Sequence, residues 1–406
     1  MNAQSIIDAE QKYIVQTYKR PPFVLERGEG VYLYDTEGRR YIDFVAGIAV
    51  NALGYAHPAV MRAIWVQAAQ VIHVSNLYHT VPHVELAQRL VENSFADRAY
   101  FCNSGAESVE AAMKFARRWA RANFSPSTSS GHGDDKHEFV AFTGSFHGRT
   151  MGALAATDRE QYQKPFEPLM PGVKFAEFNN LEDAKAKIDK NTCAVLVEPL
   201  QGEGGVRPAS PLFLAGLRAL CDANNALLVF DEVQCGLGRT GTLWGYEAYG
   251  VTPDIMCLAK PLAGGMPIGA TLITERVAEA IQVGDHASTF AANPLVCHVG
   301  CAVFDVVSDP EFLAGVQEKG DYLLGALREM DAPQITEVRG RGLMVGIQLI
   351  GEAMPAIQAG FEHGFILVNA GSDVLRLVPP LIIETEQIDA LIEDLPALLE
   401  AVEGAA

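Results

Sequence analysis

The middle of the 406-residue chain alternates between short apolar segments and segments with a helical hydrophobic period. Four- or five-residue apolar runs are typical of buried strands, and amphipathic patterns such as that of residues 107–121 separate them. This alternation predicts an α/β fold with a mainly parallel sheet flanked by helices. The predicted strands are residues 99–102, 139–142, 194–197, 226–230 and 255–258.

The two ends of the chain have a different pattern. Residues 31–43 and 335–350 each show two apolar runs around a glycine turn, which predicts a hairpin near each end. We therefore predict a large domain over residues 55–300. A smaller α+β domain is expected to form from both termini, with an N-terminal segment of 1–54 and a C-terminal segment of 301–406.

Charge and cysteine content limit the possible partners and compartments. The 31 basic and 50 acidic residues give a net charge of −19, which disfavours nucleic acid and anionic membranes as partners. No apolar run approaches the ~20 residues that a membrane span needs. The seven cysteines are scattered and include no Cys-x-x-Cys, so we predict no metal site and a cytoplasmic location.

Ligands of open α/β sheets bind where strands end, so the residues after each predicted strand are candidate site residues. After the first strand, Ser104 and Glu107 have the spacing of a helix capping box. Alternatively, Gly105 would let backbone N–H groups and the helix dipole face a bound phosphate. Both interpretations fit the local sequence.

A second strand ends at two adjacent carboxylates, Asp231 and Glu232, whose burial is costly unless a partner is present. The following run, Gly236–Gly241, has the spelling G-x-G-x-x-G of a dinucleotide-binding loop. The next residues show little helical periodicity, so this dinucleotide site remains an alternative. A salt bridge or a solvated strand edge would also explain the carboxylates.

Lys260 follows the strand predicted at 255–258, with one alanine between them. A desolvated lysine has a lowered pKa and can form a Schiff base, although a lone lysine is more often a surface residue. Together with Asp231 and Gly105, it meets the needs of pyridoxal phosphate, whose aldehyde, ring nitrogen and phosphate each require a partner. Neither a P-loop nor a His-Glu-x-x-His motif occurs.

Longer motifs carry a resemblance to a known family. They are Asn103–Glu107, Ser145–Thr150, Val197–Gly205, Phe230–Gly241 and Ala259–Lys260. In sequence and order these motifs resemble those of class III aminotransferases of fold type I, and the resemblance extends over nearly the whole chain. It implies a pyridoxal 5'-phosphate enzyme that works as a homodimer with shared active sites.

The resemblance also implies roles for individual residues. Lys260 would bind the cofactor's aldehyde and move a proton, and Asp231 would pair with the pyridinium nitrogen. The other implied cofactor contacts are Ser104, Gly105, Ala106, Phe146, Glu198, Glu232, Val233 and Gln234, with Thr289 reaching in from a partner subunit. The implied substrate contacts are Arg149, Glu203, Ser288 and Arg376.

The implied reaction moves the ω-amino group of an N-acylated ornithine such as N2-acetylornithine to 2-oxoglutarate, in arginine metabolism. Arg149 would bind the distal carboxylate of each substrate, and Arg376 the α-carboxylate of glutamate, with Glu203 masking Arg376 when the first substrate is bound. An ordinary ion pair between domains is the alternative for Arg376 and Glu203.

Related enzymes with the same motifs act on ornithine, succinylornithine, 4-aminobutyrate or carrier-bound aminoadipate semialdehyde, so the donor remains open. Two functions from other classes also remain. One is an NAD-dependent oxidoreductase that would use Gly236–Gly241, and the other is a catalytically silent relative that binds or regulates.

Overall fold

The computed structural model describes residues 2–124 and 136–402. Its strands are β1 (Leu25–Glu29), β2 (Tyr32–Asp35), β3 (Arg40–Asp43), β4 (Arg98–Cys102), β5 (Glu138–Phe142), β6 (Val173–Ala176), β7 (Thr192–Val197), β8 (Leu200–Gln201), β9 (Arg207–Pro208), β10 (Leu227–Asp231), β11 (Ile255–Leu258), β12 (Gly269–Ile273), β13 (Ile335–Arg341), β14 (Met344–Leu349), β15 (Phe365–Ile366), β16 (Val368–Asn369) and β17 (Val374–Leu377).

The helical segments connect these strands. They are α1 (Ala3–Tyr13), α2 (Ala46–Ala49), α3 (Pro58–Ala68), α4 (Val81–Glu92), α5 (Gly105–Phe124), α6 (Met151–Ala155), α7 (Glu160–Gln163), α8 (Leu181–Lys187), α9 (Pro211–Ala223), α10 (Glu275–Ala278), α11 (Pro294–Val307), α12 (Pro310–Glu329), α13 (Met354–His363) and α14 (Thr385–Leu399). Short 3₁₀ turns lie at Ser75–Leu77, Lys164–Phe166, Gly245–Tyr249 and Lys260–Ala263.

The largest sheet has seven strands in the order β4-β12-β11-β10-β7-β5-β6. All its neighbouring pairs are parallel except those of β12, which runs antiparallel to both β11 and β4. The five predicted strands all lie in this sheet, and the α/β prediction is confirmed. The carboxyl ends of β4, β5, β7, β10 and β11 therefore meet at one edge, because these strands share one direction.

Three smaller sheets form from other parts of the chain. One has the order β1-β2-β3-β15 and another the order β13-β14-β17-β16, while β8 and β9 form a two-stranded ribbon. An apolar cluster joins residues of both chain ends, including Val31 and Phe44 with Leu323, Leu375 and Leu391. The predicted association of the two ends therefore has its own apolar core.

The backbone of residues 46–49 is left-handed, with φ between 52° and 64°. This conformation is costly for residues with a side chain, and most of all for a β-branched residue such as Ile48. The buried carboxylate of Asp43 holds the turn, since it accepts hydrogen bonds from the N–H groups of Val45 and Ala46 at 2.8 and 3.0 Å. The turn packs against the 3₁₀ segment that begins at Lys260.

All seven cysteines are buried and free. Cys297 and Cys301 lie one turn apart on α11, inside an apolar cluster. Among residues 2–124 and 136–402, no group of three or more His, Cys, Asp or Glu side chains could hold a metal ion. Within the same ranges, no helix combines the length and hydrophobicity that crossing a bilayer requires.

Candidate active site

Asp231 and Lys260 lie at the carboxyl edge of the seven-stranded sheet. Asp231 is the last residue of β10 and is in register with Cys257 of the parallel strand β11, whose end Lys260 follows. Because neighbouring parallel strands end at the same edge, the two functional groups predicted from separate strand ends come together. This edge is the candidate active site.

A histidine orients Asp231. The Nδ1 atom of buried His147 lies 2.7 Å from Asp231 Oδ2, and since a carboxylate only accepts, the ring nitrogen donates. The N–H group of Val233 donates to the other oxygen at 3.0 Å. His147 Nε2 is buried and has no hydrogen-bond partner among the described residues. His147 belongs to the motif Ser145–Thr150, and the sequence predicted no role for it.

The Lys260 amine is half-buried at the same edge. Burial lowers the pKa of Lys260 from its usual value to about 8; the charge of Glu203 opposes this shift, and that of Arg376 adds to it. Near neutral pH, a much larger share of this amine is therefore neutral than for an exposed lysine. A neutral amine is the form that attacks an aldehyde.

Helix α5 begins at the same edge and presents unused donors. The Ser104 hydroxyl caps the helix by accepting from the Glu107 N–H group at 3.2 Å. The N–H groups of Gly105 and Ala106 have no acceptor among the described residues. A Cβ at position 105 would lie 2.7 Å from a methyl group of Val233, so a larger residue would not fit there. Ser104 thus caps the helix while the N–H groups of Gly105 and Ala106 remain available to bind an anion.

Glu198 joins two loops of the site. Its carboxylate accepts from the N–H group of Phe146 and from that of Gly202, each at 3.0 Å. Burial raises the pKa of Glu198 above its usual range, and Asp231 adds to this effect. Glu198 therefore fixes the backbone that carries the Phe146 ring.

Glu232, a predicted cofactor contact, is held by backbone N–H groups. Its two carboxylate oxygens accept from the N–H groups of Gly245 and Tyr246, at 2.6 and 2.7 Å. Burial raises the pKa of Glu232 to about 8. Adjacent residues at a strand end point to opposite sides, so Asp231 faces His147 while Glu232 holds the turn at 245–249. The predicted contact of Glu232 with the cofactor stays a prediction.

Arg376 and Glu203 form an ion pair beside these groups. Arg376 Nη1 donates to Glu203 Oε1 at 2.5 Å and to Gln234 Oε1 at 3.2 Å. Arg376 is 1 % exposed, and its Nε atom has no partner among the described residues. Burial would raise the pKa of Glu203, but the charges of Arg376 and Lys260 prevail and lower it.

The remaining predicted residues lie at the rim of the site. The exposed Arg149 stacks on the ring of Tyr162 with its guanidinium 3.4 Å from the ring centre, and forms no ion pair with a described residue. Ser288 Oγ accepts from Asn103 Nδ2 at 2.9 Å, beside the start of α5. Thr289 is exposed.

The Gly236–Gly241 run forms a buried turn, and no helix begins at its end. Arg239 within it is buried, and its Nη1 donates to the carbonyl oxygens of Leu343 and Pro379 at 3.0 and 2.5 Å. A dinucleotide loop instead opens directly into a helix whose N-terminus binds phosphate. This arrangement opposes the nicotinamide-cofactor alternative.

The residues at this edge fit pyridoxal phosphate. The half-buried amine of Lys260 suits its aldehyde, the carboxylate of Asp231 its ring nitrogen, and the free N–H groups of Gly105 and Ala106 its phosphate. These groups converge from the ends of β4, β10 and β11. The fold and the site thus agree on the class of chemistry.

Comparison with known proteins gives the same result. The model of the family "Aminotransferase class-III" matches residues 13–399. Acetylornithine aminotransferase of Alnus glutinosa mitochondria is 51 % identical, with 98 % of this chain and 88 % of that protein covered. Succinylornithine transaminase of Yersinia enterocolitica is 47 % identical, with 93 % and 92 % covered. The crystal structure of ornithine aminotransferase from Toxoplasma gondii has a TM-score of 0.92 at 29 % identity, with 99 % and 96 % covered.

Enzymes of this family depend on pyridoxal 5'-phosphate and share fold type I. The match extends over both the seven-stranded sheet and the two terminal sheets, and it includes Asp231 and Lys260. The motifs that suggested the resemblance are therefore parts of one family pattern. This chain belongs to the class III aminotransferases.

Proposed function

We propose that this enzyme transfers the ω-amino group of N2-acetylornithine, or of a similar acylated ornithine, to 2-oxoglutarate. The observation that carries the proposal is the masked cation. Glu203 covers Arg376 beside Lys260, while Arg149 stacks on Tyr162 and forms no ion pair with a described residue. N2-acetylornithine, which reacts at its far amine, has one carboxylate, and Arg149 would bind it. Glutamate has a second carboxylate near the reacting carbon, for which Arg376 would be uncovered.

The proposed roles of the other residues follow from their positions. Bound pyridoxal phosphate supplies an electron sink for the carbon that loses a proton. The Lys260 amine would hold the cofactor and then carry that proton from one carbon to another. Asp231, oriented by His147, would keep a proton on the ring nitrogen, because a carboxylate beside a cation favours the charged form. Phe146 would cover one face of the ring.

The identity of the donor rests on the relatives. Acetylornithine, succinylornithine and ornithine each occur in the name of a similar protein, and all three present a terminal amine on the same carbon chain. Identity of 51 % over nearly the whole chain supports the acetylated donor.

A panel of amino donors tests this proposal. The purified holoenzyme would be assayed with N2-acetylornithine, N2-succinylornithine, ornithine and 4-aminobutyrate, each with 2-oxoglutarate as acceptor. We expect the highest kcat/KM with an acylated ornithine. A preference for 4-aminobutyrate or free ornithine would contradict the proposed donor and leave the family assignment intact.

We further propose a homodimer, supported by an exposed apolar surface. Trp65 is 76 % exposed and Leu77 80 %, and the exposed Phe290 ring lies with its centre 5.1 Å from that of His73. Asn76 donates to the carbonyl oxygens of Ser288 and Ala291 at 3.2 and 3.0 Å, which brings Leu77 close to Phe290. An exposed apolar patch is typical of an interface. Thr289 lies within this surface, which supports its predicted reach into the partner's phosphate site.

Domain boundaries and location remain proposals. We propose the division into 1–54, 55–300 and 301–406 with one change: helix α11 crosses residue 300 and packs on α3 and α4, so the last boundary would fall after Val307. A cytoplasmic location is supported by seven buried, unpaired cysteines.

A further inference from the structure

The loop Gln201–Val206, here named the gate loop, carries Glu203 between β8 and β9. Three consecutive carbonyl oxygens of this loop accept hydrogen bonds from arginine side chains. The pairs are Arg159 with Glu203, Arg207 with Gly204 and Arg339 with Gly205, at 2.5, 3.1 and 2.8 Å. Glu198 also accepts from the N–H group of Gly202 at 3.0 Å. Gly202, Gly204 and Gly205 give the loop little stiffness of its own, so its position depends on contacts of these two kinds.

Arg339 is the most buried of the three arginines, at 7 % exposure, whereas Arg207 is exposed and Arg159 is partly exposed. Its other nitrogens are also held: Nη1 donates to Glu337 at 2.6 Å and Nη2 to Gln348 at 3.0 Å. Water cannot easily replace a buried, charge-assisted hydrogen bond, but it readily replaces an exposed one. Arg339 is therefore the firmest of the three holds on the gate loop.

Arg339 also lies in line with Arg376. Arg339 of β13 pairs with Gly346 of β14, which pairs with Arg376 of β17. Residues directly opposite on neighbouring strands point to the same face, so the three positions form one row across the sheet. A Cβ at position 346 would lie 2.8 Å from the Cβ of Val206 in the gate loop.

The gate loop thus rests on this row at three points: Arg339 binds its Gly205 carbonyl, Gly346 makes room for Val206, and Arg376 binds Glu203. Arg376, which Glu203 masks, and Arg339, which anchors the loop that carries Glu203, therefore belong to the same sheet.

We propose that Arg339 is a positioning residue for substrate preference, which holds the gate loop so that Glu203 covers Arg376. The inference rests on the masking of Arg376 under the proposed function. Without Arg339, the Gly205 carbonyl loses its anchor and the loop gains freedom. Glu203 then leaves Arg376 more often, and a second carboxylate competes for that cation more effectively.

Arg339→Met tests this proposal, because it keeps the length of the side chain and removes all its hydrogen bonds. Single-turnover rates of the holoenzyme would be measured with glutamate and with N2-acetylornithine. We expect their ratio to shift about tenfold toward glutamate, the effect of losing one strong hydrogen bond. Binding of glutarate, an unreactive dicarboxylate, should tighten several-fold by calorimetry, roughly in step with the ratio.

One control variant and one second test variant accompany Arg339→Met. Arg207→Met removes the exposed arginine that binds the neighbouring carbonyl, and we expect a ratio within about twofold of the unmodified enzyme. Gly346→Ala displaces Val206 and leaves every arginine in place, so it should shift the ratio in the same direction as Arg339→Met. It keeps the test valid should Arg339→Met fold poorly.

The Glu203→Ala background separates the possible outcomes. If Arg339 acts through Glu203, Arg339→Met adds no further shift once Glu203 is absent. Suppose that Glu203→Ala shifts the ratio. Equal losses in both half-reactions of Arg339→Met, or an unchanged affinity of Arg339→Met for glutarate, would then overturn the role of Arg339. If Glu203→Ala leaves the ratio unchanged, the proposed masking fails, and the role of Arg339 fails with it.

Discussion

Replacing Glu203 with alanine should change the balance between the two half-reactions. Arg376 is 1 % exposed and its Nη1 lies 2.5 Å from Glu203 Oε1. Removing one partner of a fully buried ion pair leaves an unpaired charge, at a cost of about 3–5 kcal/mol. The Glu203 side chain is 27 % exposed, and Gln234 still accepts from Arg376 at 3.2 Å, so water and the amide recover part of this cost.

About 2 kcal/mol should then remain as added attraction between Arg376 and a substrate carboxylate, which corresponds to about 30-fold in rate ratio. Glutamate places a carboxylate there and N2-acetylornithine does not. Glu203→Ala should therefore favour the glutamate half-reaction by about this factor, and Arg376→Ala should favour the acylornithine half-reaction.

The assay follows each half-reaction alone. Holoenzyme with its cofactor in the aldehyde form would be mixed rapidly with glutamate or with N2-acetylornithine. The absorbance of the cofactor would be recorded over one turnover. Glu203→Gln is the matched control, since it keeps size and hydrogen bonding but removes the charge; it should shift the ratio in the same direction. Losses of equal size in both half-reactions would refute the reasoning and leave an ordinary interdomain ion pair.

Three further predictions concern the cofactor site and assembly. Because burial lowers the pKa of Lys260 to about 8, capture of pyridoxal phosphate by the apoenzyme should accelerate as pH rises through about 8. Stopped-flow absorbance measures the rate of capture, and an inflection near pH 10 would contradict the prediction. Lys260→Ala should lose transamination altogether. Asp231→Asn should lower kcat by about a hundredfold or more but weaken cofactor retention less, since the phosphate cradle at Gly105 is untouched; equal losses in rate and in dialysis retention would indicate a structural carboxylate. The enzyme should sediment as a dimer at micromolar concentration, and Thr289→Ala should weaken cofactor retention; a fully active monomer would contradict the shared site.

Much of the fold could be predicted because its signals are local. Each predicted strand is an apolar run, and all five occur in the large sheet with ends shifted by at most two residues. The helix cap at Ser104 also follows from adjacent residues. Strand β12 was missed because its buried sequence, Gly269–Ile273, begins with glycine and has Thr271 at its centre, so it forms no uninterrupted apolar run.

Some residues of the site could likewise be predicted from the sequence, and others could not. Lys260 and Asp231 could be found from the sequence because each follows or ends an apolar strand, and strand ends are where ligands bind. The part of Glu232 stays a prediction, since a sequence does not tell which of two adjacent carboxylates faces the cleft. That choice depends on the strand's pleat and on partners such as the N–H groups of Gly245 and Tyr246.

The sequence by itself determined the alternation of strands and helices, and with it the edge where the chemistry lies. Only the tertiary structure decided which distant side chains meet there. His147 reaches Asp231 across 84 positions, and Arg339 reaches Gly205 across 134. The physical reason is that hydrophobic periodicity is a property of neighbouring residues, whereas hydrogen bonds between strand ends depend on sheet order and register.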